Sequence, residues 1–289
     1  MIKPDVALAG TITIGGDLVV NRLGFGAMRI TGYGVWGAPA DHHEAIRVLR
    51  RLPEIGVNFV DTAESYGPNV SEDLIREALH PYPRGLVIAT KAGFQRGGPD
   101  VWHVDCRPDI LKRGLEGSLK RLGLDRIDLW QLHRIDGNVD RKIQFETLLW
   151  AQEQGLVRHV GLSEVGVRDI EDARNYVPVA TVQNRYGPTN RASEDVLDYC
   201  ANHGIGFIPW GPLDFGQLAK SDSVLEAIAR RNNAAASQVA IAWALQHSPA
   251  VLMIPGTSKV AHVEQNAAAS AIALSATDIS EINHLGQPY

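Results

Sequence analysis

The sequence has little cysteine, no excess charge of either sign and no long uninterrupted apolar run. Its two cysteines, Cys106 and Cys200, form neither a C-x-x-C motif nor a zinc-binding spacing, so we expect a reducing, cytoplasmic environment. The 28 basic and 33 acidic side chains give a net charge of −5 without any Lys/Arg cluster, which argues against a nucleic-acid partner. Polar residues interrupt the apolar stretches, and the first ten residues lack a long apolar core. We therefore expect neither a membrane span nor a signal peptide.

Short apolar, β-branched segments alternate with amphipathic segments throughout the 289 residues. The helical spacing of Ala45, Val48, Leu49 and Leu52, for example, predicts a helix over residues 41–52. Strands that are apolar along their whole length indicate a parallel sheet covered on both faces. The pattern predicts eight strands, each followed by a helix, at residues 23–28, 58–62, 86–91, 128–133, 159–163, 180–184, 206–210 and 251–255.

The length alone allows either one large domain or two smaller ones. Eight strand–helix units without a Pro/Gly/Ser-rich linker favour one domain over residues 1–289, an α/β protein of the (β/α)₈ TIM-barrel class. Residues 11–14 and 18–20 flank Gly15 and Gly16 and predict an N-terminal β-hairpin that covers one mouth of the barrel. Extra C-terminal helices are expected, the last over residues 276–285.

Ionisable side chains stand where three neighbouring predicted strands end. Active sites of such barrels lie at the carboxyl ends of the strands, so Asp61, Lys91 and His133 are expected to meet there, with Tyr66 close by. Asp61 would balance the charge of Lys91, and the ammonium of Lys91 would lower the pKa of Tyr66. Each residue alone could be structural. Together they favour proton transfer to or from a carbonyl or hydroxyl oxygen.

Eight short motifs follow one another along most of the chain. They lie at residues 24–28 (GFGAM), 59–67 (FVDTAESYG), 88–91 (IATK), 132–133 (LH), 161–163 (GLS), 183–186 (QNRY), 209–213 (PWGPL) and 254–258 (IPGTS). In this order and spacing they resemble the aldo-keto reductases, and most closely the bacterial branch that includes pyridoxal reductases. The resemblance implies hydride transfer between NAD(P)H and an aldehyde or ketone. It makes Tyr66 the general acid/base, with Lys91 and Asp61 tuning its pKa and His133 orienting the carbonyl.

The resemblance also implies a set of cofactor contacts. Ser163 and Gln183 would hold the nicotinamide carboxamide, and Tyr186 would stack under the ring. Glu164 stands where many relatives have Asn; it could accept a hydrogen bond from the carboxamide but could not donate one. The other expected contacts are Gly26, Met28, Trp210, Gly211, Pro212, Leu213, Gly256, Thr257, Ser258, Lys259, His262, Gln265 and Asn266.

The cofactor phosphates are expected at residues 256–258, between the last predicted strand and the next helix. Free backbone N–H groups at such a helix start bind phosphate, although the same residues could simply cap the helix. Ser258 and Lys259 would meet a ribose 2′-phosphate, which favours NADP(H) over NAD(H). His262 replaces the Arg of many relatives and is a weaker phosphate partner.

Aromatic residues in the loops predict an apolar substrate pocket, formed by Tyr33, Trp36, Phe94 and Trp102. A pyridoxal-type aromatic aldehyde is the specific substrate expected, beside other aldehydes and ketones. A nicotinamide-binding redox sensor or regulatory subunit with weak turnover is the alternative. A metal-dependent hydrolase is disfavoured because the adjacent His42 and His43 would point apart on a helix.

Overall fold

The computed structural model describes residues 5–211 and 224–285. Its strands in chain order are β1 (Thr11–Ile14), β2 (Leu18–Asn21), β3 (Phe25–Gly26), β4 (Phe59–Asp61), β5 (Val87–Ala92), β6 (Phe94–Gly98), β7 (Val101–Val104), β8 (Ile127–Leu132), β9 (Val157–Ser163), β10 (Val179–Gln183) and β11 (Gly206–Phe207). Strands β1 and β2 form the expected antiparallel hairpin. Strands β6 and β7 form a second hairpin, which lies outside the predicted elements.

Parallel pairing joins β3, β4, β5, β8, β9, β10 and β11 side by side in this order. The ring closes through residues 251–254, the closing segment: Val251 pairs with Phe207, and Met253 pairs with Leu23 just before β3. Among the described residues the predicted strand 251–255 is thus reduced to two isolated parallel bridges. The architecture is that of the predicted (β/α)₈ barrel.

The helices lie around this ring. They are α1 (His42–Glu54), α2 (Val70–Leu79), α3 (Pro108–Leu122), α4 (Arg141–Glu153), α5 (Val167–Arg174), α6 (Glu194–His203), α7 (Val224–Arg231), α8 (Ala236–His247), α9 (Val260–Ala268) and α10 (Ala276–Leu285). Helix α1 begins after Asp41, whose carboxylate accepts a hydrogen bond from the Glu44 N–H at 2.9 Å. In the two described ranges, no helix is both long and apolar enough to cross a membrane.

The interior of the barrel explains why the polar residues collect at one end. Alternate residues of a strand point to the same face, so Phe59 and Asp61, or Leu129 and Gln131, share the inner face. The hairpin β1–β2 inserts apolar side chains into the opposite end, among them Ile14, which is fully buried. The apolar layers therefore fill the barrel up to the level at which the strands end, and the polar residues occupy the last layer.

Candidate active site

A cavity of about 590 Å³ opens at the carboxyl ends of the barrel strands. Three of the four predicted catalytic residues, Asp61, Tyr66 and His133, line it, and the fourth, Lys91, lies directly behind Tyr66. Other predicted residues also reach this cavity, namely Gly26, Met28, Phe94, Trp102, Ser163, Gln183, Trp210, Gly211 and Gly256.

Lys91 and Asp61 form an ion pair that is shielded from solvent. The Lys91 ammonium is fully buried, and it donates to Asp61 Oδ2 at 2.6 Å and to the Thr62 carbonyl at 2.9 Å. It also reaches the Tyr66 hydroxyl at 3.4 Å. Burying an ammonium is favourable only when its hydrogen-bonding capacity is met, and these three acceptors meet it. Lys91 is therefore held in one position with one hydrogen bond directed at Tyr66.

Two amides fix the second oxygen of Asp61. Gln131 Nε2 donates to Asp61 Oδ1 at 3.1 Å, and Gln183 Nε2 donates to the same atom at 2.9 Å. Gln131 was not among the residues expected from the sequence. Its position two residues before His133, on the same face of β8, is the signal that could have identified it.

The direction of the Tyr66 pKa differs from the expectation. Burial raises the pKa of Tyr66 above its usual value of 10.0, and the Asp61 carboxylate adds to this effect. The Lys91 ammonium opposes it but does not outweigh it. Burial also lowers the pKa of Lys91, yet Asp61 and Tyr66 more than offset this and leave it raised. In the cavity as it stands, Tyr66 is therefore a neutral phenol and Lys91 a cation at neutral pH.

His133 is a neutral imidazole packed against aromatic rings. Burial, followed by the positive charges of Lys91 and Arg134, holds the pKa of His133 well below its usual 6.5. Its ring meets Phe94 edge-on at 4.6 Å between centroids, and its Nδ1 lies 3.5 Å from the Ser65 hydroxyl. A neutral imidazole can donate one ring N–H to a carbonyl oxygen in the cavity without adding a charge.

Glu164 holds a neighbouring aromatic side chain. It adopts a left-handed backbone conformation with φ of 57°. Its Oε1 accepts hydrogen bonds from the Trp210 indole N–H and from the Arg185 backbone N–H, both at 2.6 Å. The carboxylate therefore fixes Trp210 at the cavity wall, whereas the resemblance suggested a contact with a carboxamide.

Tyr186 lies outside the cavity lining. It is fully buried on the helix side of the sheet, where its ring stacks on Trp243 at 6.0 Å between centroids. Its hydroxyl donates to Glu194 at 2.7 Å and accepts from Arg191 at 2.9 Å. The expected stacking of Tyr186 on a nicotinamide ring does not fit this position. Trp210 is the aromatic residue at the corresponding wall of the cavity.

The predicted phosphate site is a solvent-exposed loop at the start of α9. Ser258, Lys259 and His262 are exposed, and Thr257 Oγ1 accepts from the Lys259 N–H at 3.2 Å. The first N–H of α9, that of Val260, is bound by the Glu44 carboxylate at 3.1 Å. Gln265 and Asn266 lie further along α9 and do not line the cavity. Pro212 and Leu213 lie outside the described residues.

The predicted substrate pocket is formed by only part of the expected residues. Phe94 and Trp102 line the cavity, whereas Tyr33 is 89% exposed and Trp36 lies at the surface of the same loop. Arg96 connects that loop to the β6–β7 hairpin, because its guanidinium stacks on Trp102 at 3.5 Å. It also donates to five backbone carbonyls, those of residues 34, 35, 65, 98 and 101. No sequence pattern predicts these contacts of Arg96, because they join loops that are distant along the chain.

Comparisons with known proteins found similar sequences and similar folds. An uncharacterized oxidoreductase of Schizosaccharomyces pombe is 51% identical over 98% of this chain and 92% of its own. The pyridoxine 4-dehydrogenase of Escherichia coli is 40% identical over 96% of this chain and 99% of its own. A solved aldo/keto reductase of Klebsiella pneumoniae, in complex with NADP and acetate, superimposes with a TM-score of 0.81. It is 25% identical, over 96% of each chain.

The model of the Aldo/keto reductase family matches residues 22–287. This match spans the barrel strands, the closing segment and the residues of the cavity. The chain therefore belongs to the aldo/keto reductase family, whose members are oxidoreductases that act on carbonyl compounds.

Proposed function

We propose that the protein is an NADP(H)-dependent reductase of aromatic aldehydes in which Tyr66 is the general acid. The observation that carries this proposal is the buried Asp61–Lys91–Tyr66 chain, which ends with the Tyr66 hydroxyl at the cavity wall. In reduction the acid must hold a proton until the carbonyl oxygen gains charge. A phenol whose pKa burial raises meets that requirement at neutral pH.

Each side chain has one role in this mechanism. When bound, the nicotinamide supplies the hydride. Tyr66 donates its proton to the oxygen of the carbonyl group as negative charge develops there. The Lys91 ammonium stabilises the resulting phenolate through its hydrogen bond, and Asp61 keeps that ammonium charged and in place. The neutral His133 ring holds the carbonyl oxygen near Tyr66.

The donors and acceptors of the cavity fit a nicotinamide carboxamide. Gln183 uses its NH₂ group on Asp61, so its amide oxygen is left to accept from the carboxamide NH₂. Ser163 Oγ accepts from Arg134 at 3.0 Å, so its hydroxyl hydrogen is left to donate to the carboxamide oxygen. Trp210, held by Glu164, offers a flat face beside them for the ring.

The preference for NADP(H) rests on the exposed start of α9. Ser258 and Lys259 present a hydroxyl and an ammonium to solvent near the cavity mouth. The complex of the Klebsiella pneumoniae relative with NADP supports the same preference. Glu44 lies at this helix start and is already paired with Arg47, which limits its repulsion of a phosphate. A pyridoxal-type aldehyde is the proposed substrate, supported by Phe94 and Trp102 in the cavity and by the pyridoxine 4-dehydrogenase relative.

The test compares Tyr66→Phe with Tyr82→Phe. Tyr82 donates its hydroxyl hydrogen to the Leu122 carbonyl, far from the cavity, and serves as the matched control. We expect Tyr66→Phe to lower kcat for NADPH-dependent reduction of pyridoxal or benzaldehyde by about a hundredfold to ten-thousandfold. Its NADPH affinity, measured by fluorescence titration, should stay near that of the wild type.

Full turnover of Tyr66→Phe would refute the assigned acid. Equal affinities for NADPH and NADH in the same titration would refute the proposed role of Ser258 and Lys259. An aldehyde and ketone panel on which pyridoxal ranks no higher than aliphatic aldehydes would refute the proposed substrate.

A further inference from the structure

Arg134 brings a positive charge into the cavity that the mechanism does not use. It follows His133 at the end of β8, is half-buried, and lines the cavity. Its Nη1 donates to the His133 carbonyl at 2.6 Å and to the Ser163 hydroxyl at 3.0 Å. Its guanidinium carbon lies 5.5 Å from the centre of the Phe94 ring. These contacts place the group between the proposed carboxamide site and the proposed substrate side.

The charge of Arg134 is not balanced by a direct ion pair. Within residues 5–211 and 224–285 no carboxylate forms a salt bridge with it. Glu164 acts on it only through space, and Glu164 Oε1 is already engaged by Trp210 and Arg185. Lys91, the cation that contacts the Tyr66 hydroxyl, is neutralised by Asp61. The positive charge of Arg134 next to Tyr66 and His133 is therefore compensated by Glu164 only through space.

Several hydrogen-bond donors of Arg134 also remain. A guanidinium carries five N–H donors, and the two bonds among the described residues both involve Nη1. The positive charge of Arg134 is close enough to influence the pKa values of both His133 and Tyr66. In a bound substrate, an oxygen group attached close to the reacting carbonyl would lie in the same part of the cavity as Arg134, Tyr66 and His133. A carboxylate or ionised hydroxyl at that position would receive charge-assisted hydrogen bonds.

We propose that Arg134 is a specificity-determining residue that selects carbonyl substrates with an anionic oxygen group on the first or second atom from the carbonyl carbon. This inference rests on the proposed reductase function and narrows its substrate class. Two sources share this chemistry: the carboxylate of a 2-oxo acid, and the phenolate ortho to an aromatic aldehyde. In both, Arg134 binds the anionic group while Tyr66 and His133 meet the carbonyl oxygen.

The test uses substrates in pairs that differ in charge and little in shape. Phenylglyoxylate is compared with its methyl ester, and salicylaldehyde, assayed in a buffer alkaline enough to ionise its phenol, is compared with 2-methoxybenzaldehyde. We expect Arg134→Gln to lower kcat/KM for the anionic member of a pair by about tenfold to a hundredfold, the usual contribution of a charge-assisted hydrogen bond. Loss of the Arg134–Ser163 hydrogen bond acts on both members of a pair alike, so kcat/KM for the uncharged member should fall by a much smaller factor than kcat/KM for the anionic member. The pair that responds identifies the carboxylate or the phenolate as the group that is bound.

Two variants separate charge recognition from a structural role. Arg134→Lys keeps the charge and should retain most of the preference for the anion. Ser163→Ala removes the hydroxyl that Arg134 contacts; it should weaken NADPH binding and leave the ratio between paired substrates unchanged. If the role of Arg134 is purely structural, Arg134→Gln should lower kcat/KM for both members of each pair equally, because loss of folding or of cofactor binding does not distinguish them.

The outcomes also distinguish this inference from the proposed function. If the wild type reduces none of the four compounds with NADPH, the proposed function is refuted, and binding of benzoate still tests Arg134. Calorimetry should then show benzoate binding at least about tenfold weaker in Arg134→Gln. If the wild type reduces all four compounds and Arg134→Gln lowers kcat/KM for charged and uncharged members alike, the proposed reductase function is supported and the proposed role of Arg134 is refuted.

Discussion

The buried ion pair allows a quantitative prediction for Asp61→Asn. Asn offers one acceptor atom where Asp61 offers two, so its NH₂ group meets a donor of either Lys91 or the two glutamines, and the charge of Lys91 loses its partner. Lys91 is fully buried, so burial lowers its pKa, and the Asp61 carboxylate, the largest opposing effect, is gone. Neutralising at about pH 7 a lysine whose usual pKa is about 10.4 costs about 4–5 kcal/mol. A loss of about 3–5 kcal/mol is typical when one partner of a buried ion pair is removed. We therefore expect Asp61→Asn to lower the free energy of unfolding by about 4 kcal/mol at about pH 7.

The pH dependence tests this reasoning more sharply than the size of the loss. In the variant the unfolded chain binds a proton at Lys91 that the folded chain does not, so the free energy of unfolding rises with pH. Relative to the wild type, the deficit should shrink by about 1.4 kcal/mol for each pH unit between about pH 7 and pH 9. Urea unfolding of both proteins, followed by far-ultraviolet circular dichroism at three pH values, measures it.

The control for this prediction is the double variant Asp61→Asn with Lys91→Met. It removes both charges, so it should be less destabilised than Asp61→Asn alone at about pH 7 and should lack the excess pH dependence. A deficit of Asp61→Asn that stays constant from about pH 7 to pH 9 would show that Lys91 remains protonated without Asp61. That result would refute the account of the pair given above.

Two further predictions concern the cavity walls and the acid itself. Because burial raises the pKa of Tyr66 and lowers that of His133, kcat/KM for reduction should stay level from about pH 6.5 to pH 9 and decline only above about pH 10. A decline centred near pH 7 in the pH–rate profile would contradict this. Glu164→Ala should remove the carboxylate that holds the Trp210 indole and weaken NADPH binding by about fivefold to tenfold. Glu164→Gln, which still offers an acceptor, should largely restore the NADPH affinity, as titration of the protein's tryptophan fluorescence with NADPH would show.

The sequence predicted the placement of the site because the inner face of a barrel follows a period of two. Asp61 and Lys91 each stand two residues after an apolar inward residue of the same strand, Phe59 and Ala89 respectively. Their convergence then follows from the parallel order of the strands. The rule ends where the strand ends. Tyr186 lies three residues beyond β10, and its ring turned to the helix side, where Trp243 offers a stacking partner.

Balances between opposing effects could not be predicted from the sequence. The expected fall in the Tyr66 pKa considered the Lys91 charge alone, whereas the depth of burial decides the direction. Glu164 likewise had two possible hydrogen-bond partners, a nicotinamide carboxamide and the Trp210 indole. In the structure Glu164 has a left-handed backbone conformation, and its carboxylate binds Trp210. The assignment of residues 1–289 to one domain remains a prediction.

The closing segment has a consequence for ligand binding. Gly26, at the end of β3, and Gly256, after the closing segment, lie on opposite sides of the seam that the isolated Leu23–Met253 bridge holds together. A dinucleotide that contacts both would act as a clamp across this seam, so part of its binding free energy would oppose local opening of the barrel. Occupancy should therefore slow amide hydrogen exchange at Gly24, whose N–H donates to the Met253 carbonyl at 2.7 Å, and at Met253, whose N–H donates to the Arg22 carbonyl at 2.8 Å. In this way the ligand helps to maintain the closed ring on which its own site is built.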